Sequence, residues 1–305
     1  MRLGYPCLNR TLSQSSRRPN HGTTVKHLRG LTAEERRDKL NRLLQKNLHN
    51  NLEILKFNLE NEIAVYRFCS DIVPVATHPV ADDWDYIASA EAEIKELGDF
   101  IREHGFRVSM HPEQFTVLNS DREDVVENAL QDLRYHHSFL QAMGLDSEAI
   151  IILHIGGVYG DRERALERFK ENFLSLDPDI QERVVIENDD RSYTATEVLG
   201  VAGELEIPMV LDIHHFNINH GPEENLSDLM PRAFATWQER RPKLHFSSPA
   251  SSEDPTRHAR EIDPEEFARF LEMAEKEVGK EFDVMLECRD KEKALLKLRR
   301  QLQKM

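Results

Sequence analysis

Histidine and carboxylate side chains recur where short apolar segments of this 305-residue chain end. In Ile-Ile-Leu-His154 and Val-Val-Ile-Glu187, three aliphatic residues lead directly to such a side chain. Six successive segments share this feature, through His111, His154, Glu187, Asp212 with the following His214 and His215, His245, and Glu287. An isolated buried carboxylate is costly to desolvate, and convergence on bound cations removes that cost. The spacing therefore predicts a metal cluster rather than independent polar groups.

The types of these side chains restrict the metal that they could bind. Histidine and carboxylate without cysteine suit Zn, Mn or Fe. At least four histidines and three carboxylates exceed the needs of one tetrahedral ion. Two or three metals are therefore predicted, with a carboxylate such as Glu187 bridging. Clusters of this kind activate water and hold a phosphate during in-line displacement.

Lys243 has the same strand parity as His245, so both side chains are predicted to point into one interior. A charged lysine there would be repelled by metal ions, which leaves a neutral lysine or a salt bridge to a carboxylate as alternatives. The remaining histidines receive simpler interpretations. His136 and His137 lie in a predicted helix, His78 is open between loop structure and site, and His21, His27 and His49 belong to a basic N-terminal region.

The elements that carry these residues are short apolar strands alternating with longer amphipathic helices. Nearly continuous apolar strands are typical of a parallel sheet buried on both faces. The predicted strands are 2–6, 63–68, 106–110, 149–155, 183–186, 208–213, 243–246 and 282–286. The predicted helices cover about 32–61, 86–104, 121–143, 161 onward, 194–206, 226–239, 264–279 and 291 onward, the first opened by the capping box Thr32–Glu35.

Eight such units in 305 residues predict a (β/α)8 TIM barrel, an α/β fold forming a single domain over residues 1–305. A long basic first βα loop is expected at about 7–31. In these barrels the site lies at the C-terminal ends of the strands, where the predicted ligands fall. An open doubly wound sheet is the competing architecture. No Gly-x-Gly-x-x-Gly follows the first strand, so a dinucleotide has no support.

The composition of the chain further narrows the class of protein to which it could belong. The net charge is −15, which argues against a protein that simply coats nucleic acid, yet residues 1–50 hold eleven Lys or Arg against three acidic residues. No apolar run reaches the ~18 residues that a membrane span needs, and no apolar N-terminal stretch is visible. Three widely spaced cysteines, Cys7, Cys69 and Cys288, do not form a disulfide framework. A cytoplasmic protein without a membrane partner is expected.

Taken in order, several motifs resemble those of the UV damage endonucleases over nearly the whole chain. They are Leu3-Gly-Tyr-Pro, Tyr66-Arg-Phe, Val73-Pro-Val-Ala-Thr-His-Pro79, His111-Pro-Glu-Gln-Phe115, Leu153-His-Ile-Gly-Gly157, Ile186-Glu-Asn-Asp-Asp190, Leu211-Asp-Ile-His-His-Phe216 and Lys243-Leu-His-Phe-Ser-Ser-Pro249. Each motif alone is weak evidence for this family, whereas the order and spacing of all the motifs together are highly specific. The family is similar to endonuclease IV, a metal-dependent barrel nuclease.

The resemblance implies a site and a substrate. The metal ligands would be His111, His154, Glu187, Asp212, His215, His245, His258 and Glu287, with Glu187, Lys243 and His245 in catalysis. Three divalent metals are implied, manganese first, with zinc or magnesium as alternatives, and Lys243 would be carboxylated. Gln114 and Phe115 would enter the duplex at the lesion, while Tyr5 and Asn9 would contact the damaged strand or fill the gap.

The implied activity is that of a monomeric endonuclease acting on UV-damaged double-stranded DNA. It would nick 5′ to cyclobutane dimers, 6-4 photoproducts and some other lesions, through attack by a metal-activated water that leaves a 3′-hydroxyl. Three alternatives stay open. They are an abasic-site endonuclease of the endonuclease IV type, a metal-dependent sugar isomerase on the same fold, and a non-catalytic DNA-binding module.

Overall fold

Eight parallel strands close into one barrel in a computed structural model, which describes residues 1–13 and 18–305. Strand order follows chain order, and β8 pairs with β1 to complete the ring. The strands are β1 Arg2–Pro6, β2 Val65–Arg67, β3 Arg107–Met110, β4 Ile150–His154, β5 Val184–Glu187, β6 Met209–Asp212, β7 Lys243–Phe246 and β8 Asp283–Leu286. The predicted TIM barrel is confirmed, and the open sheet is excluded because β1 and β8 are hydrogen-bonded neighbours.

Helices surround the barrel and connect its strands. They are α1 Arg10–Ser13, α2 Val25–Arg29, α3 Ala33–Glu60, α4 Tyr86–Ser89, α5 Glu91–Glu103, α6 Glu123–Ala142, α7 Arg162–Leu174, α8 Pro178–Gln181, α9 Ala195–Leu205, α10 Ile213–Ile218, α11 Leu226–Ala235, α12 Pro264–Val278 and α13 Glu292–Leu302, with a 3₁₀ turn at Pro79–Ala81. Among the described helices, none is long and apolar enough to cross a membrane.

Two predicted helices differ from the observed ones. The predicted helix 86–104 is divided at Ala90, whose backbone (φ −140°, ψ 29°) interrupts the helical ladder between α4 and α5. The predicted helix 226–239 ends at Ala235, in α11. The capping box that opens α3 is confirmed, since the Thr32 hydroxyl accepts from Glu35 N and the Glu35 carboxylate accepts from Thr32 N.

Strand parity separates two kinds of interior. In β7, Lys243 and His245 point into the barrel, while Leu244 and Phe246 pack in the main core between strands and helices. On β1, Gly4 faces the barrel interior, where an added Cβ would lie 2.5 Å from the Val65 carbonyl oxygen. A glycine is therefore required for the close approach of β1 and β2 at this point.

A buried carboxylate joins strands at the N-terminal end of the barrel. Asp283, at the start of β8, accepts hydrogen bonds from Arg2 Nε at 2.8 Å, from Arg107 at 2.9 Å and from Arg241 Nε at 2.8 Å. Arg2 begins β1 and Arg107 begins β3, so one fully buried side chain links both sides of the seam where β8 meets β1.

The long first βα loop that the sequence places at about 7–31 contains short helices. It carries α1 and α2, and residues 14–17 of it lie outside the described residues. Buried asparagines of α3 hold the segment that follows, because Asn50 and Asn51 donate to the carbonyls of Arg18 and Pro19. The loop is thereby fixed against α3 by side chains that bond its backbone.

Candidate metal centre and its surroundings

The predicted ligands meet at the C-terminal end of the barrel because six adjacent strands each deliver one there. His111 directly follows β3, His154 ends β4, Glu187 ends β5, Asp212 ends β6, His245 lies in β7 and Glu287 directly follows β8. Registers align neighbouring members, since His154 is paired with Glu187 and Asp212 with His245. Parallel strands in one barrel therefore place residues distant in sequence side by side.

Glu187 occupies the centre of this cluster. One carboxylate oxygen lies 2.9 Å from His111 Nε2 and 3.5 Å from His154 Nε2. The other lies 2.6 Å from His245 Nδ1 and 4.0 Å from His215 Nδ1. The side chain is 1% exposed. Its two oxygens thus face two separate sets of histidines, as a bridging ligand must.

Three overlapping groups of side chains could each hold an ion. Within each group the potential ligand atoms lie within 4.8 Å of one another. The groups are His111, His154 and Glu187; Glu187, Asp212 and His215; and Asp212, His245 and Glu287. Because Glu187 and Asp212 each belong to two groups, the cluster is continuous and these carboxylates would bridge neighbouring ions.

Buried polar atoms without partners show that these residues fit a metal. Among the described residues, Asp212 Oδ2, His245 Nε2 and His258 Nδ1 are buried and accept or donate no hydrogen bond. A buried unsatisfied polar atom costs about 1–3 kcal/mol. Coordination would satisfy the carboxylate oxygen, and the donor set of imidazoles and carboxylates matches Zn, Mn or Fe.

Backbone contacts orient the ligands. Asn188 donates from Nδ2 to Asp212 O and accepts from Asp212 N, which locks β5 to β6 beside the cluster. His215 Nδ1 lies 2.9 Å from Asn188 O, and Asp212 accepts from His215 N as the cap of α10. Second contacts of this kind fix the ring orientation of metal-binding histidines. Asn188 is a positioning residue that sequence reasoning missed, although it sits within the motif Glu-Asn-Asp-Asp.

The histidines differ in protonation. Burial lowers the pKa of His111 to about 4, against the opposing effect of Glu187. Burial also disfavours charged His215, but Asp212 and Glu187 outweigh it and raise the pKa of His215 to about 9. A neutral imidazole is the form that binds metal, so His111 is ready for coordination at neutral pH and His215 must release a proton.

Two carboxylates of the centre, Glu187 and Glu287, are held ionised. Burial opposes ionisation of Glu187, but His245 and His154 hold the pKa of Glu187 well below its usual range. Burial likewise opposes ionisation of Glu287, and Arg67 and His245 lower the pKa of that carboxyl. Arg67 contacts Glu287 directly. Arg67 could have been noticed in the sequence as a charged residue at an inward position of β2. No role was assigned to it from the sequence.

Lys243 lies inside the barrel below the cluster and is 1% exposed. Its Nζ donates to Ser109 Oγ at 2.7 Å, and among the described residues no carboxylate oxygen lies within 4.0 Å of it. The salt bridge considered from the sequence is therefore not present. Burial, Arg107 and Arg67 hold the pKa of Lys243 well below its usual value, which favours the neutral amine.

His258 and His214 lie at one margin of the cluster. His258 Nε2 is 3.9 Å from Glu287 Oε2, and its ring centroid is 4.8 Å from that of His214. His258 comes from the loop after β7, whose Pro249 and His258 form an isolated antiparallel bridge. His214 is buried with Nε2 3.2 Å from Thr256 O, so it supports the loop that carries His258.

Gln114 and Phe115 form an exposed turn beside the cluster. Phe115 is 70% exposed, the value expected for a side chain available to a partner rather than to the core. The turn is anchored where Thr116 N donates to Glu113 O and the Thr116 hydroxyl donates to Asp132. A cavity of about 360 Å³ connects this turn to the cluster, and is lined by Gln114, His154, His215 and Asp189 among others.

Tyr5 and Asn9 lie in the protein interior, whereas the resemblance implied that they contact the damaged DNA strand or fill the gap. Both are 0% exposed. Tyr5 points away from the barrel lumen by strand parity and donates to Asn58 of α3 at 2.7 Å. Asn9 donates to Tyr5 OH and accepts from Leu12 N at the start of α1. In this structure the pair supports the first loop, and contact with DNA would require that loop to move.

The histidines interpreted as structural lie outside the cluster. His136 and His137 are buried in α6, and His136 Nδ1 lies 2.7 Å from Asp132 O, so they pack within the fold rather than on the surface. His78, left open by the sequence, accepts from Val80 N as the cap of the 3₁₀ turn. The three cysteines are free.

A closed barrel with histidines and carboxylates converging at its C-terminal mouth defines a barrel protein with a potential multinuclear metal centre. The family described as UV-endonuclease UvdE matches residues 1–305 of this chain. The chain therefore belongs to that family, as the sequence motifs predicted.

Individual relatives agree with this assignment. A protein named UV DNA damage endonuclease from Bacillus pumilus (strain SAFR-032) is 40% identical over 299 residues, 97% of this chain and 92% of its own length. The crystal structure of SacUVDE matches with a TM-score of 0.89 at 33% identity, covering 100% of this chain and 98% of that one. Endonuclease IV from Thermus thermophilus shares the fold, with a TM-score of 0.59 and 14% identity over the full length of both chains.

Proposed function

We propose that this protein is a metal-dependent endonuclease that nicks double-stranded DNA 5′ to UV photoproducts, namely cyclobutane dimers and 6-4 photoproducts, and to some other lesions. The observation that carries the proposal is the central position of Glu187 between two sets of histidines within three overlapping groups of potential ligands. Full-length membership in the UV-endonuclease family supports the substrate. The enzyme is further proposed to be a monomer, as the resemblance to the family implies.

The residues proposed to hold three divalent metals, with manganese first and zinc or magnesium as alternatives, are His111, His154, Glu187, Asp212, His215, His245, His258 and Glu287. Bound metals at such a centre supply Lewis acidity and an activated water for in-line attack at phosphorus, leaving a 3′-hydroxyl. Glu187 and Asp212 would fix the spacing of neighbouring ions. His245, which is 0% exposed, would hold the third group beside Glu187.

Lys243 is proposed to become an anion by carboxylation. A neutral Nζ can attack carbon dioxide, forming an N–C bond and releasing one proton, and the product is a carbamate. Burial of Nζ next to the uncharged Ser109 hydroxyl supports this, because the charged amine has no carboxylate partner within 4.0 Å among the described residues. Equilibration with ¹³C-bicarbonate should give a carbamate ¹³C resonance that Lys243→Ala lacks, and identical spectra of the two proteins would contradict the modification.

Gln114 and Phe115 are proposed to open the duplex at the lesion. A damaged step is already weakly stacked, so inserting an exposed aromatic side chain there is less costly than at an undamaged step. The exposed position of Phe115 and the cavity between its turn and the cluster support this role. Recognition would then depend on deformability at the lesion rather than on base sequence.

A nicking assay on three matched duplexes tests the function. The duplexes carry one cyclobutane dimer, one abasic site or no lesion, and are incubated with protein and Mn²⁺. We expect a nick 5′ to the dimer and little cutting of the undamaged duplex. Cutting of the abasic duplex alone would favour the endonuclease IV type of activity. Binding without cutting would favour a DNA-binding module, and failure on all duplexes together with turnover of a ketose would favour a sugar isomerase.

A further inference from the structure

A basic cleft lies beside the metal centre at the same end of the barrel. It has a volume of about 580 Å³, and among the described residues its charged lining consists of Arg10, Arg18, Arg260, Arg289, Lys293 and Asp290. Five cations thus face one carboxylate, in a chain whose net charge is −15. The cleft is therefore positively charged, whereas the protein as a whole is negatively charged.

Among the residues that the structure describes, most of these cations have no carboxylate partner. Arg260 forms an ion pair with Asp290, with Nε 3.2 Å from Asp290 Oδ2. Among the described residues, no other ion pair joins two side chains of the cleft. Arg10 instead donates from Nε to the Arg289 carbonyl oxygen at 3.1 Å. Like charges held this close repel one another, and a bound polyanion would relieve that repulsion.

The cleft is assembled by specific contacts rather than by mobile side chains alone. Glu292 is 0% exposed and accepts from Arg10 N at 2.8 Å, from Thr11 N at 2.7 Å and from the Thr11 hydroxyl. This buried carboxylate fixes the start of α1 to the start of α13. The first βα loop and the last helix are thereby held together, with Arg10 and Lys293 on the same cleft.

The opposite wall is tied directly to the metal centre. Arg289 N donates to Ala259 O and Asp290 N donates to Arg260 O, both at 2.9 Å, so the loops after β7 and β8 are joined. His258 and Glu287 lie two residues before Arg260 and Arg289, respectively. Two residues of chain span at most about 7 Å, so each wall of the cleft begins next to a potential metal ligand.

We propose that this cleft binds backbone phosphates of the DNA that lie next to the phosphate cut at the metal centre. Arg289 and Lys293 are the proposed phosphate-binding residues. The inference rests on the proposed nuclease function. It explains how a strongly acidic chain retains a polyanionic substrate, because five cations and a single carboxylate line a cleft next to the centre. Phosphate contacts set affinity and register without reading base sequence.

The test is the salt dependence of DNA binding by the double variant Arg289→Gln, Lys293→Gln. The backbone bonds of residue 289 do not involve its side chain, and residue 293 is exposed, so the fold should be retained. Dissociation constants are measured by fluorescence anisotropy between 50 and 300 mM salt, in chelator, on a dimer-containing duplex and on its undamaged counterpart. Each lost phosphate contact lowers the slope of log affinity against log salt by ~0.9, hence by ~1.8 for two.

We expect weaker binding by roughly tenfold for each lost contact at 0.1 M salt, equally on both duplexes, as counterion release implies. The matched control is Lys276→Gln, Lys280→Gln, which makes the same charge change at the end of α12, opposite the metal centre, where both lysines pair with glutamates. The control should keep the wild-type slope. An unchanged slope in the Arg289 and Lys293 variant, or an equal loss in the control, would overturn the proposal.

Single-turnover cleavage separates this inference from the proposed function. With Mn²⁺ and saturating enzyme, the double variant should cut the dimer duplex at the wild-type rate, because the cleft binds DNA and does not touch the reacting atoms. A slow saturated rate would overturn a purely binding role. A wild-type protein that cuts no duplex, but whose binding slope still falls in the double variant, would reject the nuclease function and uphold the cleft.

Discussion

Glu187 concentrates the chemistry of the site in one side chain. Its oxygens approach His111, His154 and His245 at 2.9, 3.5 and 2.6 Å, and the position is almost fully buried. An amide in its place would have the same shape but would lose the negative charge and one of the two oxygen donors. The ability to bridge two ions depends on both.

We therefore expect Glu187→Gln to reduce nicking of the dimer duplex by about 1,000-fold, corresponding to the loss of about 4 kcal/mol of transition-state stabilisation at a metal site. Bound metal should fall as well, measured by elemental analysis after dialysis. Glu182→Gln, an equal charge change at an exposed position before β5, is the control. Full activity of the Glu187 variant would reject the central role of this carboxylate.

Phe115 gives a second prediction at the residue scale. Because the side chain is 70% exposed, Phe115→Ala should leave thermal stability nearly unchanged. It should weaken binding to the dimer duplex by roughly tenfold, the effect of losing one aromatic–base stacking contact. Leu174→Ala, which removes another exposed apolar side chain, should affect neither property. Equal loss of affinity for damaged and undamaged duplexes would contradict a role in lesion recognition.

At the scale of elements, strand parity assigns each residue to the lumen or to the helix layer. It sends His245 to the metal centre and Lys243 into the lumen, and it sends Tyr5 outward to Asn58 of α3. The same alternation brings Asp283 to the lumen at the opposite end, where arginines of β1 and β3 and one preceding β7 meet it. The barrel therefore carries its site at one end and a closing ion network at the other.

Asp283→Asn should destabilise the protein by about 3 kcal/mol, since removing one partner leaves buried charges uncompensated. Although burial favours the neutral form of Asp283, Arg2 and Arg107 lower its pKa in the folded protein. Its stabilising effect is therefore complete above the unfolded pKa of about 3.9 and is lost as pH falls below that value.

Chemical denaturation of wild type and Asp283→Asn between pH 3 and 7 measures this effect. The difference in the free energy of unfolding should be largest near neutral pH and should shrink as the solution is acidified. Glu281→Gln removes an exposed partner of Arg241 and should change stability little at any pH. A pH-independent difference between wild type and Asp283→Asn would show that the carboxylate charge is not what stabilises the seam.

At the scale of the whole molecule, charge is divided between regions. The chain is acidic overall, its candidate metal centre gathers three carboxylates, and five basic side chains line the cleft next to that centre. Metal ions bound at the centre would offset its three carboxylates and would join ligands from six different strand ends. Metal binding should therefore act on the stability of the entire barrel, not on the site alone.

Removal of metal should lower the melting temperature. At a free metal concentration 100 times the dissociation constant, binding to the folded state adds about 2.7 kcal/mol, equivalent to roughly 5 °C for a domain of this size. Differential scanning calorimetry of chelator-treated protein, with and without added Mn²⁺, measures the shift. A variant lacking Glu187 and Asp212 should show a smaller shift in melting temperature on addition of Mn²⁺. A shift equal to that of the wild type would mean that the stabilising ion binds elsewhere.

The sequence by itself determined the barrel and most of the side chains that form its candidate metal centre. Periodicity distinguishes buried parallel strands from amphipathic helices, and in a parallel barrel every strand ends at the same face, so residue types at strand ends predict a common site. The strand ends predicted from the sequence include His111, His154, Glu187, Asp212, His245 and Glu287, which the fold brings together. The lumen-facing direction of Lys243 followed from the same alternation.

Only the tertiary structure decided what depends on contacts between distant segments. His258 reaches the cluster from a loop, whose path no periodicity encodes. Tyr5 and Asn9 are buried because α3 and α1 pack over them. Arg10 and Lys293 share a cleft because Glu292 joins elements 281 residues apart. Local pattern specifies which face a residue occupies, whereas loop paths and helix packing determine what that face meets.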